Sequence, residues 1–254
     1  MKSIIKLFFE RMGIVILSNK NEIFKKLILT DPFEIQKSLF LSQEKLIIFD
    51  IGAQYGQTAF EYIQRFNTST IYSFEPFNES FIVLNKNVKE NANIKIFNLA
   101  FGDSIGIEKL NCNSFSATNS ILETDDRGSS TWGNNLLETI DTTEISITTI
   151  DDFVEKKQIS AIDILKIDVQ GYEFNVIQGA KNLISNNGIR VIYLEVIILP
   201  TYKKQKYLDE LLSLLRSFNF ILHGMYNFNY DSFGSLRQFD AIFINSNYRN
   251  SIFI

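Results

Sequence analysis

Near-continuous apolar runs of strand length recur along the chain from about Leu46, and stretches of helical period separate them. The runs cover residues 46–53, 71–76, 94–102, 145–150, 162–169, 189–196 and 240–245. Runs apolar on both faces suit strands covered by helices on each side. Between them, Ala59, Tyr62, Ile63 and Phe66 share one helical face, as do Phe81, Leu84 and Val88. Val176, Ile177, Ala180, Leu183 and Ile184 form a third stripe, and Leu208, Leu211, Leu212 and Leu215 a fourth. The alternation predicts an α/β fold built on a doubly wound, mostly parallel sheet. Shorter helical stripes come first: Ile5, Phe8, Phe9 and Met12; Ile23, Phe24, Leu27 and Ile28; Ile35, Leu39 and Phe40. They predict a helical extension over residues 1–45, followed by one domain over 46–254. Residues 111–143 break the rhythm. Rich in Asn, Ser, Thr and Asp, they read as a long loop, functional or mobile, with room for short structure that the pattern does not place.

Composition narrows the chemistry. With 254 residues, 45% of them hydrophobic and 21% charged, the chain is long and apolar enough to fold. A net charge of −4 supplies no basic excess for wrapping nucleic acid. The single cysteine, Cys112, excludes an internal disulfide and Cys-rich zinc sites, and nothing near it in sequence would activate it. The single histidine, His223, excludes two-His metal motifs. Asp125–Asp126 and Asp151–Asp152 lack a third ligand at metal spacing, and the second pair fits the first turn of a helix capped by Thr149. No metal is expected. Glu10 and Arg11 interrupt the first apolar stretch before it reaches signal-peptide length, and the 189–200 run is short and carries Glu195. No membrane span is expected, and the lone cysteine suits a cytoplasmic protein.

Ligands of open parallel sheets bind beyond the carboxyl ends of the strands. Here those ends carry Asp50, Glu75, Asn98, Lys166 with Asp168, and Glu195. A carboxylate at a buried edge is costly unless it is paired or binds something. Asp50-Ile51-Gly52-Ala53-Gln54-Tyr55-Gly56 closes the first strand and opens a helix. Gly52 permits close backbone approach to a ligand, and Gly56 the turn into an electropositive helix start. Glu75, ending the next strand, can accept hydrogen bonds from both hydroxyls of a ribose. A dinucleotide enzyme would need a third glycine in register, and Asp50 would repel a pyrophosphate. S-adenosylmethionine carries an amino group and a sulfonium but no phosphate, so charge favours it over NAD. Tyr202 and Lys206 have the spacing of a dehydrogenase pair, but in TYKKQK they read as a solvated helix face.

The ordered segments DIGAQYG, SFEP, LAFGD, TIDDF, LKIDVQGYE, GA (Gly179-Ala180) and YLE, spread over about residues 46–245, resemble the FkbM family of S-adenosylmethionine-dependent methyltransferases. The resemblance implies the Rossmann-like class I methyltransferase fold, a seven-stranded sheet whose last strand is antiparallel. The final hairpin would pair residues 219–226 with 239–245. Asp50, Gly52, Ala53, Gln54 and Gly56 would form the cofactor loop, Glu75 and Pro76 the ribose site, and Asn98, Ala100 and Phe101 the adenine walls. Phe101 fits a core position as well. Two residues depart from the family pattern: Gln54 replaces the usual Asn, and Gln170 the common Glu. Family members often methylate hydroxyl groups of sugars or natural products. The N-terminal stripes followed by RMGIVIL resemble versions from bacterial glycan and lipopolysaccharide pathways.

Methyl transfer is an in-line displacement, so much of its rate comes from holding nucleophile and methyl carbon in line. A hydroxyl acceptor must also lose a proton, which Asp168, Glu173, Glu195 or His223 could take. Glu173 equally suits a helix start, and a lone histidine suits a structural role. Lys166 either points away from the sheet edge or pairs with Asp168, and supports the site. Trp132, in the polar stretch, is a candidate platform for a sugar ring. The expected acceptor is a small molecule or glycan. A nucleotide-dependent oxidoreductase or epimerase, and a non-catalytic binding module for which Gln170 speaks, are the alternatives.

Overall fold

In chain order the elements are α1 (Pro32–Ser38), β1 (Ile47–Ile51), α2 (Gln57–Arg65), β2 (Thr70–Phe74), α3 (Asn78–Val88), β3 (Ile94–Phe97), β4 (Ala100–Phe101) and β5 (Gly106–Asn113). Next come α4 (Asp126–Trp132), β6 (Thr139–Thr148), α5 (Ile150–Lys157), β7 (Ile162–Ile167), α6 (Glu173–Gln178) and α7 (Lys181–Ser185). The chain ends with β8 (Ile189–Ile197), α8 (Leu208–Ser217), β9 (Phe220–Tyr230), β10 (Leu236–Asn245) and α9 (Ser246–Ile252). This computed structural model describes residues 31–41, 44–133 and 135–252. The expected stripes at 5–12 and 23–28 lie outside the described residues.

Seven strands form the main sheet in the order β3-β2-β1-β7-β8-β10-β9. The pairs β1–β2, β2–β3, β1–β7 and β7–β8 are parallel. β10 inserts between β8 and β9, antiparallel to both. Alternate side chains sort onto the two faces, as the pleat dictates. Phe49, Leu165 and Ile192 pack with Phe153 of α5, Val176 of α6 and Leu215 of α8. Ile48, Ile164 and Val191 pack with Ile35 of α1, Ala59 and Tyr62 of α2 and Leu84 of α3. With both faces covered, the central strands read as apolar runs. After β1 the chain builds outward to β3, then returns to the other side of β1 at β7. The crevice between β1 and β7 is therefore where a ligand is expected.

α1 packs on the same body: Tyr62 Oη donates to Gln36 Oε1 at 2.9 Å, and Arg65 pairs with Asp31 at 3.1 Å and Glu34 at 3.0 Å. Thr149 caps α5, its Oγ1 accepting the Asp152 N–H at 3.1 Å.

Four expectations are corrected. The run at 145–150 is not in the main sheet: β6 belongs to a separate three-stranded sheet, β4-β6-β5. Ile145 and Ile147 are buried while Ser146 between them is exposed, the alternation of a sheet with one covered face. The run at 94–102 divides between the two sheets, as β3 and β4. The stripe over 176–184 is two short helices, broken at Gly179, where an added Cβ would lie 1.9 Å from Gly102 O. That contact brings the two motif glycines together and leaves no room for a side chain. Finally, 111–143 is built rather than looped. Asn111 and Asn113 are buried, and their amides donate to Ser120 O (3.1 Å) and Thr118 O (2.7 Å). Polar side chains here replace the backbone partners that a regular ladder would supply.

Candidate active site

A cavity of about 350 Å³ opens at the carboxyl edge of β1 and β7, roofed by residues 115–121. Gly52, Ala53, Gln54, Glu75, Pro76, Ala100 and Phe101 line one side of it; Lys166, Asp168 and Glu195 line the other. The turn at its floor is sterically fixed. Gly52 has φ +79°, and a Cβ there would lie 1.8 Å from the Asp168 carbonyl oxygen. Backbone cannot give way as a flexible side chain can, so the β1 and β7 loops meet only through glycine. Gln54 and Gln170, the two departures from the motif pattern, both occupy the left-handed region, with φ 47° and 55°. Asparagine adopts that region more readily than glutamine does.

Glu75 is 7% exposed and fixes two loops. Its Oε2 accepts the Gln54 N–H at 2.8 Å and its Oε1 the Phe77 N–H at 2.9 Å. Burial raises its pKa to about 7, against those two hydrogen bonds, which favour the ionised form. Asn98 lies behind the cavity and braces the same loop, donating to Glu75 O at 2.9 Å and Pro76 O at 3.0 Å. Phe101 is 1% exposed, edge-on to Phe74 at 4.7 Å, so it serves the core while reaching the cavity wall.

Asp50 does not line the cavity. It is fully buried beneath it, opposite Lys166 in the β1–β7 register, with Lys166 Nζ 3.2 Å from its Oδ1. Among the described residues its oxygens have no well-aligned hydrogen-bond donor. Burial raises its pKa, and Lys166 opposes the rise. Lys166 also donates to Gly52 O at 3.0 Å and lies 3.6 Å from Asp168 Oδ2. Burial would favour a neutral amine, yet Asp50 and Asp168 together raise the Lys166 pKa. Both arrangements expected for Lys166 were incomplete, since its principal partner is Asp50, on the neighbouring strand.

Glu173, at the start of α6, does not face the cavity. Its Oε1 accepts the Val169 and Gly171 N–H groups, both at 3.1 Å, and so shapes the turn after β7. Burial raises its pKa to about 7. His223 lies apart: it is exposed on the outer strand β9, with Arg249 of α9 as its charged neighbour, and does not line the cavity. Gly56 caps α2 behind the turn. Trp132 reaches the cavity, but the Arg237 guanidinium lies 4.2 Å over its ring and its Nε1 donates to Thr201 Oγ1 at 3.1 Å.

The sequence profile of the Methyltransferase FkbM domain matches residues 50–222, which include this cavity floor and the carboxylate-bearing strand ends. The chain belongs to the FkbM methyltransferase family. It is thus a methyltransferase, with S-adenosylmethionine as its cofactor, and the oxidoreductase alternative falls away. A curated relative, the 2-O-methyltransferase NoeI of Sinorhizobium fredii, is 27% identical over 181 residues, 69% of this chain and 73% of that protein. The crystal structure of methyltransferase FkbM from Methylobacillus flagellatus superposes with a TM-score of 0.53 at 13% identity. That match covers 85% of this chain but 48% of the other, so this chain spans about half of that protein. At such identity the likeness concerns the fold. M. capricolum TrmK, solved with S-adenosylhomocysteine, aligns over 87% of this chain and 70% of its own, at 15% identity and a TM-score of 0.45.

The cavity suits the FkbM cofactor chemically. Its lining offers the carboxyl groups of Glu75, Asp168 and Glu195, while its one lysine, Lys166, is held by Asp50 and Asp168. Such a lining disfavours phosphate and favours a sulfonium and an ammonium. Several lining residues had no signature in the sequence. Tyr172, Asn119 and Gln238 reach the cavity through tertiary packing alone. Tyr202 corrects the solvated-face reading: it is 2% exposed, behind the cavity, whereas Lys206 pairs with Glu210 on the surface at 2.7 Å.

Proposed function

We propose that this FkbM enzyme is an O-methyltransferase acting in the cytoplasm on a sugar hydroxyl, in a bacterial surface glycan or a related natural product. The observation that carries the reading is the pair of carboxyl groups at the ends of β7 and β8, Asp168 and Glu195, which line one cavity with the cofactor loop. Residues 51–54 would hold the cofactor's amino-acid end and Glu75 its ribose; Ala100 and Phe101 would face its adenine. Bound there, S-adenosylmethionine supplies an electrophilic methyl carbon, and its transfer leaves S-adenosylhomocysteine. Asp168 would take the acceptor hydroxyl's proton, with Lys166 Nζ 3.6 Å from its Oδ2.

A hydroxylated acceptor also suits the far wall. Asn119 Nδ2 and Gln238 Oε1 are buried polar atoms without a hydrogen-bond partner among the described residues, on side chains that line the cavity. Acceptor hydroxyl groups, which both donate and accept, are partners for each. An acid-lined cavity of about 350 Å³ favours a small or glycan acceptor over nucleic acid. Sinorhizobium fredii NoeI, named as a 2-O-methyltransferase, supports oxygen as the methylated atom.

Calorimetric titration with S-adenosylhomocysteine should give binding in the micromolar range, weakened at least tenfold in Glu75→Ala, since a hydrogen bond to a charged group contributes about 1.5–3 kcal/mol. Incubation with methyl-labelled S-adenosylmethionine and a panel of oligosaccharides should then label an oxygen of one of them. Wild-type protein that does not bind S-adenosylhomocysteine would overturn the reading.

A further inference from the structure

Gln170 stands where the two carboxyl groups meet. Its Nε2 donates to Asp168 Oδ1 at 2.9 Å and to Glu195 Oε2 at 2.8 Å, so both amide protons are committed. On its other side, Oε1 lies 3.1 Å from the buried Tyr202 hydroxyl, whose single proton is shared between it and Thr118 O at 2.9 Å. The amide therefore has one workable orientation, with nitrogen toward two acceptors and oxygen toward a donor. Its backbone is held as well: Ser120 Oγ donates to Gln170 O at 2.7 Å, tying the turn after β7 to the cavity roof. Gln238 Nε2 secures the remaining Glu195 oxygen, Oε1, at 2.7 Å.

We propose that Gln170 is a positioning residue, whose side-chain amide holds Asp168 and Glu195 as a fixed pair around the acceptor's reacting hydroxyl; this rests on the methyl-transfer reading above. A glutamate here would set a third carboxyl oxygen against two others unless it took up a proton. A glutamine bridges them without adding charge. The substitution that looked in sequence like a lost charge is then the feature that lets two carboxyl groups share one wall of the cavity. A neutral donor bound to Glu195 Oε2 favours its ionised form, against the burial that raises it. Among the described residues, the other titratable groups facing the pair are Lys166 on β7, Asp50 on β1, Glu173 on α6, Asp240 on β10, Tyr193 on β8 and Tyr202.

The test follows the carboxyl carbons by NMR in protein labelled with ¹³C at the Asp and Glu side chains, with Asp168→Asn and Glu195→Gln used for assignment. Gln170→Met keeps the length and removes the donor; Tyr202→Phe keeps the ring and removes only the hydroxyl that orients the amide. The apparent pKa of Glu195 should rise by about one unit or more in Gln170→Met and by less in Tyr202→Phe. Glu75, across the cavity, should titrate as in the wild type. S-adenosylhomocysteine binding, measured on the same samples, should persist in both variants. Unchanged titration of Glu195 in both variants, with that binding intact, would overturn the positioning role alone. A wild-type protein that does not bind S-adenosylhomocysteine would overturn the methyl-transfer reading and this role with it.

Discussion

Replacing Lys166 by methionine is the sharpest perturbation of the cavity floor. The ammonium lies 3.2 Å from Asp50 Oδ1, with Lys166 6% exposed and Asp50 not exposed at all. At an effective dielectric constant of about 20, that separation corresponds to about 5 kcal/mol of attraction, most of which offsets desolvation of the two ions. The methionine side chain would fill similar volume but leave Asp50 buried beside an apolar chain, and leave Gly52 O without its donor. Removing one partner of a buried pair costs about 3–5 kcal/mol. In a domain of this size each kcal/mol moves the melting temperature by about 2–4 °C, so the midpoint should fall by about 10 °C. Adding Asp50→Asn removes the stranded charge and should restore about half of the loss or more. Thermal and urea unfolding followed by circular dichroism, with all four proteins compared in a double-mutant cycle, measures both quantities. A loss below about 1 kcal/mol for Lys166→Met, or a double variant no more stable than the single one, would refute the assigned pairing.

Gly52→Ala should abolish S-adenosylhomocysteine binding in calorimetry and lower the melting temperature, because the new Cβ meets the Asp168 carbonyl at 1.8 Å. Stability should fall as pH rises from about 4.5 to 7. Glu75 and Glu173 ionise near 7 when folded but near 4.5 when unfolded, so their contribution is complete below 4.5 and is lost through 7. Each such shift amounts to about 3 kcal/mol, and urea midpoints at pH 5 and pH 7 should show the fall, reduced in Glu173→Gln. His223→Ala should leave S-adenosylhomocysteine affinity and urea midpoint unchanged within about 0.5 kcal/mol, since the side chain is exposed on β9; a tenfold weaker affinity would place it in the site after all. Trp132→Ala should weaken acceptor binding and spare the cofactor, as read by separate titrations; equal loss of both would make Trp132 part of the scaffold.

The parallel core was written in the chain because strands buried on both faces must be largely apolar, and β1, β7 and β8 are, apart from Asp50, Asp163, Lys166, Arg190 and Glu195. The cofactor turn was equally legible: Gly52 marks a contact that no other residue could make. The carboxylates at the strand ends were visible too, as acids ending apolar runs. Their partners were not. Asp50 looked like a ligand-facing acid until strand pairing set it against Lys166, a relation between distant parts of the chain that no local pattern carries. Residues 111–143 looked like a loop because their hydrogen bonds run through side chains, and polarity alone does not distinguish a solvated amide from a buried, partnered one. Gln170 was conspicuous only as a departure from a motif; what its amide does depends on Glu195 and Tyr202, which reach it from β8 and the segment beyond. Sequence by itself determined the strands, the turn and the chemical types available, because burial and backbone conformation constrain residues locally. Tertiary structure alone decided which charges meet, because hydrogen bonds and ion pairs act over a few ångströms between residues that the chain keeps far apart.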